Sequence, residues 1–259
     1  MRTNVVKQRL NNGDLVLGTM IFEFSTSGIG RIVAAAGAEF VIFDMEHTGW
    51  SMETIRGLLA VSRAAETVPM VRVPATEYHF IAQALDLGAM GVMAPMVESG
   101  EQAARIVAAS KYPPDGVRGA AFGISHDDYV LGDISTTMRR ANDEGLIIAQ
   151  IETLAGLEHA AEIAGTAGID VIWIGQFDLT TSLGVPGQMD HPKYVAAEAT
   201  ILEACVRAGK SVAVMTSDLS SAHAAIERGF RMIAYGGDLW LFGAALKDGL
   251  DELRESRGH

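Results

Sequence analysis

Short β-branched runs alternate with Ala- and Leu-rich stretches of helical period along nearly the whole chain, and this alternation restricts the fold more than any other feature. The strand-like runs fall at residues 15–19, 40–43, 68–73, 91–94, 146–151, 171–174, 211–215 and 231–235. Helical patterns lie between them at 28–36, 52–65, 79–87, 101–110, 157–164, 191–208, 219–228 and 239–254, several of them stopped by Gly. Strands that alternate with helices need crossover connections and therefore pair in parallel. Eight such units in 259 residues, about 32 residues each, predict a closed (β/α)8 TIM barrel filling residues 1–259 as one α/β domain.

An open doubly wound sheet competes with the barrel. Its dinucleotide fingerprint is missing, because Ser27-Gly-Ile-Gly-Arg31 follows the first strand without a third glycine. One long irregular stretch, 111–144, is expected to belong to the active site, as insertions after barrel strands do.

With 49% hydrophobic and 20% charged residues the chain has ample material for a large core. A net charge of -12 without a Lys/Arg cluster argues against nucleic acid or an anionic membrane as partner. No apolar run reaches the roughly 18 residues of a membrane span. The single cysteine, Cys205, can form no internal disulfide, and residues 1–10 lead into Asn11-Asn-Gly-Asp14, not an apolar segment; a cytoplasmic protein is expected.

In such a barrel the chemistry sits where apolar strands run out into polar residues at the C-terminal mouth. Four ends stand out: Phe43-Asp-Met-Glu-His47, Val71-Arg-Val-Pro74, Gln150-Ile-Glu-Thr153 and Ile174-Gly-Gln-Phe-Asp178. Glu152 and Asp178, from neighbouring strands, form a pair suited to a hard divalent ion with open positions; alternatively each caps the helix that follows it. Asp44 and His47 are spaced so that a carboxylate orients an imidazole for general-base work, while Glu46 reads as a helix-side surface acid. Arg72 lies in an otherwise apolar run and must have a partner or a function, either holding an oxyanion or forming a buried ion pair with Asp44 or Glu46. None of Lys7, Lys111, Lys193, Lys210 and Lys247 lies at a strand's barrel-facing end, which disfavours Schiff-base chemistry.

These strand ends, with Leu85-Asp-Leu-Gly88, Pro95-Met-Val97 and Tyr112-Pro-Pro-Asp-Gly-Val-Arg-Gly119, make the chain resemble the HpcH/HpaI aldolase family, the metal-dependent class II pyruvate aldolases of the phosphoenolpyruvate/pyruvate barrel superfamily. The resemblance runs nearly end to end. It implies cleavage of 4-hydroxy-2-oxo acids to pyruvate and an aldehyde, with Mg2+, Mn2+ or Co2+ held by Glu152 and Asp178. It implies that Arg72 stabilises the enolate oxygen, that His47 with Asp44 acts as base, and that Gln150 and the Gly175-Gln176-Phe177 loop contact substrate. It further implies a homohexamer, a trimer of dimers, in which the last helix (239–254) is exchanged and Asp86 reaches a neighbouring site. In two places the sequence departs from the family pattern: Gln176 and Phe177 replace a Gly-Pro-x-Asp arrangement with a small residue before the aspartate, and Met20-Ile-Phe-Glu-Phe-Ser-Thr26 is more aromatic than a sugar-acid aldolase loop. A less polar aldehyde is the expectation. Three other readings share the barrel: a CoA-thioester lyase of the citrate-lyase β type, which the Asp44-x-Glu46-His47 signature disfavours, an oxaloacetate decarboxylase, and a non-catalytic keto-acid-binding barrel.

Overall fold

The computed structural model describes residues 1–256. Its strands are β1 (Val16–Ile21), β2 (Phe40–Asp44), β3 (Val68–Arg72), β4 (Gly91–Ala94), β5 (Leu146–Ile151), β6 (Val171–Ile174), β7 (Ser211–Thr216) and β8 (Met232–Gly237). They pair in parallel in chain order, and β8 closes on β1, so the chain is a (β/α)8 barrel as the alternation predicts. The helices are α1 (Val5–Asn11), α2 (Ile29–Ala35), α3 (Met52–Ser62), α4 (Tyr78–Asp86), α5 (Gly100–Ser110), α6 (Ile134–Glu144), α7 (Leu154–Glu158), α8 (Ala160–Gly165), α9 (Gln176–Ser182), α10 (Pro192–Ala208), α11 (Leu219–Arg228) and α12 (Asp238–Glu255).

Strand side chains alternate between two cores. Phe40, Ile42, Val68, Met70, Leu146, Ile148, Val171 and Trp173 fill the barrel interior. Val41, Phe43, Val71, Ile147, Ile151 and Ile172 point outward and pack under the helices, where the Cys205 thiol also lies fully buried. Continued upward, the inward parity places Asp44 above Ile42, Arg72 above Met70, and Gln150 then Glu152 above Ile148, so the interior turns from apolar to polar at the mouth.

Two expectations change. Residues 111–144 connect α5 to β5, a helix-to-strand link, so they lie at the end of this barrel opposite its mouth and supply no part of the chain's own site. They brace the barrel floor instead: Asn142 bonds both the N–H and the carbonyl of buried Tyr112 (2.7 and 2.9 Å), and the Arg118 guanidinium stacks 4.6 Å from the Tyr112 ring. The helical pattern at 157–164 breaks at His159, whose Nδ1 lies 2.9 Å from the Ala155 carbonyl between α7 and α8.

Beyond its first turn α12 leaves the barrel, with Phe242, Leu246, Leu250 and Leu253 exposed along it. An apolar groove of about 510 Å³ lies beside its root, lined by Ile21, Phe24, Ile29, Ile32 and Val33 among others.

Candidate active site

Asp44 ends β2 fully buried, and both its oxygens are engaged. Oδ1 accepts from Arg72 Nε (2.6 Å) and from the Glu46 N–H (3.1 Å), and Oδ2 accepts from the His47 N–H (3.0 Å). The carboxylate therefore shapes the turn and holds the guanidinium, and does not orient the His47 imidazole. That pairing is corrected: His47 Nε2 lies 3.8 Å from Glu46 Oε2, and the ring is half-exposed toward the mouth. The turn geometry explains the change, because the carboxylate oxygens are turned to the N–H groups two and three residues on and to Arg72.

Arg72 is buried and held from two sides, by Asp44 and by Glu46 Oε2, 3.1 Å from Nη1. Its guanidinium also lies 5.8 Å from the Phe22 ring centroid. Both buried ion-pair partners read from the sequence are realised, and the guanidinium still faces the mouth pocket. Glu46, read as a surface acid, belongs to the site; the signal was its inward parity two residues past Asp44. Its Oε2 has a charge partner in Arg72 but accepts no hydrogen bond. Burial pushes the Glu46 carboxyl up to about 7, against the pull of Arg72, and Asp44 and Asp178 add to the rise.

Glu152 is almost wholly buried. It does not cap α7, a role taken by the Thr153 hydroxyl. Its Oε1 accepts the Met96 N–H at 2.7 Å, which Met96 delivers from a left-handed backbone (φ 53°) at the end of β4. Its Oε2 accepts from the Gln150 amide. Desolvation raises the Glu152 carboxyl to about 7; the Met96 N–H opposes this, and Glu46 and Asp178 reinforce it. Gly175 closes the other side: a Cβ there would overlap Glu152 Oε2 and lie 2.8 Å from Gln150 Nε2. The Gln150 Oε1 is buried and unpartnered.

Asp178 lies in the first turn of α9, where no side chain caps the helix, so its exposed carboxylate is not spent on a cap. Among the described residues no three His, Cys, Asp or Glu form a metal-ligating group. The fit to a divalent ion rests on Glu152, a buried anion whose direct partners are neutral donors and whose neighbours Glu46 and Asp178 are acids. Two hard oxygen donors of this kind leave positions open for water and substrate.

A mouth pocket of about 200 Å³ is lined by His47, Arg72, Gln150, Gly175, Gln176, Phe177 and Asp178, together with Phe22, Trp173, Met215 and Trp240. The last four were not singled out from the sequence; the aromatic run after the first strand was the available signal for Phe22. Trp240 meets Phe22 edge-on at 4.9 Å, and the Asp238 carboxylate accepts the N–H groups of Phe22, Glu23 and Phe24 (2.9, 3.0 and 2.6 Å), fixing this wall. No lysine lines the pocket. Asp86, at the end of α4, lies at the opposite end of the barrel, where Arg118 Nη2 donates to it at 2.6 Å.

Fold and mouth together define a (β/α)8-barrel enzyme that gathers acids and a guanidinium around one small pocket. The model of the HpcH/HpaI aldolase/citrate lyase family matches residues 20–245, and the chain belongs to that family. It is 32% identical to a hydroxypyruvate/pyruvate aldolase of Roseobacter denitrificans, over 91% of each chain. It is 30% identical to a 5-keto-4-deoxy-D-glucarate aldolase of Klebsiella pneumoniae, over 87% of each. The crystal structure of an HpcH/HpaI aldolase from Desulfitobacterium hafniense superposes with a TM-score of 0.92 at 32% identity, covering 96% of both chains. With these relatives the enzyme is placed as a carbon–carbon lyase. Among the described residues no helix is long and apolar enough to cross a membrane.

Proposed function

We propose that the enzyme is a class II aldolase that cleaves, and in reverse forms, 4-hydroxy-2-oxo acids by way of the pyruvate enolate. The observation that supports this reading is that Arg72 and Asp178 line one pocket free of lysine, with the buried Glu152 carboxyl against Gly175 and Gln150 of its wall. Glu152 and Asp178 would hold a divalent ion, which would supply Lewis-acid polarisation of the substrate. The chain's own groups do the rest. Arg72, fixed by Asp44 and Glu46, donates hydrogen bonds to the oxygen on which charge develops. Gln150 and the Gly175–Phe177 backbone seat the carboxylate end. His47, at the open side of the pocket, takes the proton of the C4 hydroxyl as the C3–C4 bond breaks, leaving an aldehyde and the pyruvate enolate, which is then protonated at carbon.

The oligomer is part of the proposal. The exposed apolar face of α12 and the apolar groove at its root support exchange of α12 between subunits of a homohexamer, and the position of Asp86 at the barrel floor is suited to a neighbour's site, not its own.

The test is a coupled assay for pyruvate release from racemic 4-hydroxy-2-oxo acids, with malyl- and citramalyl-CoA and oxaloacetate in parallel, in metal-stripped and Mn2+- or Mg2+-supplemented buffer. Metal-dependent cleavage of the free hydroxy-oxo acids is expected. Turnover confined to the thioesters or to oxaloacetate would overturn the assignment.

A further inference from the structure

Beside the mouth, between α10 and α11, lies a second and larger cleft of about 690 Å³. Gln176, Phe177 and Met215 line both spaces and form the partition between them. Phe177 is exposed and Gln176 Nε2 donates to the Met215 carbonyl (3.2 Å), so the partition is low and held from one side.

The cleft is chemically distinct from the mouth. Its charged lining consists of Asp190, Glu198 and Asp218 against Arg228 alone, and Arg228 Nε is already paired with Glu198 at 2.6 Å. Ser220 adds a hydroxyl from the first turn of α11, the Ser217 and Ser221 hydroxyls being bonded to Asp218, while Tyr194 and Phe177 supply aromatic surface. Thr216 provides an independent sign of a ligand. On β7, Val212 and Val214 point outward and Ala213 and Met215 inward, so Thr216 points outward into the cleft. It is only 5% exposed, and its hydroxyl oxygen has no hydrogen-bond partner. A buried hydroxyl at a position where valine would pack as well is costly unless something bonds to it.

We propose that this cleft binds the uncharged, polyhydroxylated far end of the acceptor aldehyde, whose carbonyl reaches over the Gln176–Phe177–Met215 partition into the mouth. The inference rests on the aldolase reading. Three carboxylates against one guanidinium, already bonded through its Nε, disfavour a second carboxylate or a phosphate on the acceptor, and the Thr216 and Ser220 hydroxyls with the aromatic faces suit a neutral polyol. This reading asks for a more polar acceptor end than the aromatic loop after β1 suggests.

The experiment measures kcat/KM for addition of pyruvate to glycolaldehyde, D-erythrose and succinic semialdehyde, with deuterium exchange at the pyruvate methyl group as control. Wild type should favour erythrose over succinic semialdehyde by about tenfold or more. Ser220→Trp, which fills the cleft away from the mouth, should lower erythrose addition about tenfold and leave glycolaldehyde within about twofold. Thr216→Val, a near-isosteric change, should lower erythrose addition about fivefold and carries the test if the tryptophan variant does not fold. Erythrose addition unchanged in both variants, or a preference for the carboxylated acceptor, would overturn the cleft assignment. Absence of exchange and of addition to any acceptor in wild type would instead strike down the aldolase reading beneath it.

Discussion

Asp44 and Arg72 stand opposite each other in register on β2 and β3, and the carboxylate meets Nε at 2.6 Å inside the barrel. The same carboxylate accepts two backbone N–H groups of the turn that carries Glu46 and His47. Asp44→Ala thus leaves a buried guanidinium short of its main partner and two donors unsatisfied. It should destabilise the fold by about 3–5 kcal/mol in urea denaturation. Asp44→Asn, which keeps one acceptor oxygen for the turn, should cost less stability while still lowering kcat by about a hundredfold. An alanine variant as stable as wild type would show that the pair contributes nothing to holding the mouth.

Glu46 and Glu152 both carry folded-state values near 7, raised by burial above the ordinary carboxyl value of 4.5. For a raised group, the native state binds the proton more tightly than the unfolded state, so the stabilisation is present below about 4.5 and is lost as pH rises through about 7. Chelator-treated protein should therefore melt several degrees lower at pH 8 than at pH 5.5, and Glu152→Gln should flatten that dependence. Adding Mn2+ should raise the melting temperature at pH 8 and much less at pH 5.5, since a cation competes with protons for the same oxygens. A melting profile indifferent to both pH and metal would rule out Glu152 as a buried, cation-seeking anion.

Much of this is legible from the sequence, and each departure has its own cause. The eight strands lay within a residue or two of their positions because β-branched runs between Gly-terminated helices leave little choice. Asp44, Arg72, Gln150 and Glu152 stand out in the sequence because polar residues where an apolar strand runs out are conspicuous. Glu46 was missed because parity was not followed past the end of the strand. The Asp44–His47 pairing failed because spacing along a turn does not say which donors the carboxylate will accept. Residues 111–144 were assigned to the wrong end of the barrel because length marks an insertion but only its place between α5 and β5 fixes the end at which it lies.

His47 is half-exposed and linked to Glu46, not tied down by Asp44. In the proposed mechanism it therefore serves proton transfer on the second substrate and not enolate formation. His47→Asn should lower retro-aldol kcat by about 10²–10³, the range for loss of a general base, while pyruvate methyl exchange persists. Loss of exchange and cleavage in equal measure would move His47 to the enolisation step.

Exchange of α12 predicts that its exposed side chains are interface residues. Leu246→Glu together with Leu250→Glu should convert the assembly to smaller species in sedimentation velocity, with activity falling as the neighbour's contribution is lost. An unchanged sedimentation coefficient would place α12 outside the subunit interface.

The central claim is that Arg72 and a cation held by Glu152 and Asp178 together make the pyruvate enolate accessible without a lysine adduct. The most direct measurement is deuterium exchange at the methyl group of pyruvate, followed by proton NMR in D2O, on metal-stripped enzyme before and after adding Mn2+ or Mg2+, in wild type and Arg72→Ala. Exchange that appears only with metal and falls at least about a hundredfold in Arg72→Ala is the predicted result. Exchange that survives in chelated enzyme, or proceeds undiminished without Arg72, would contradict it.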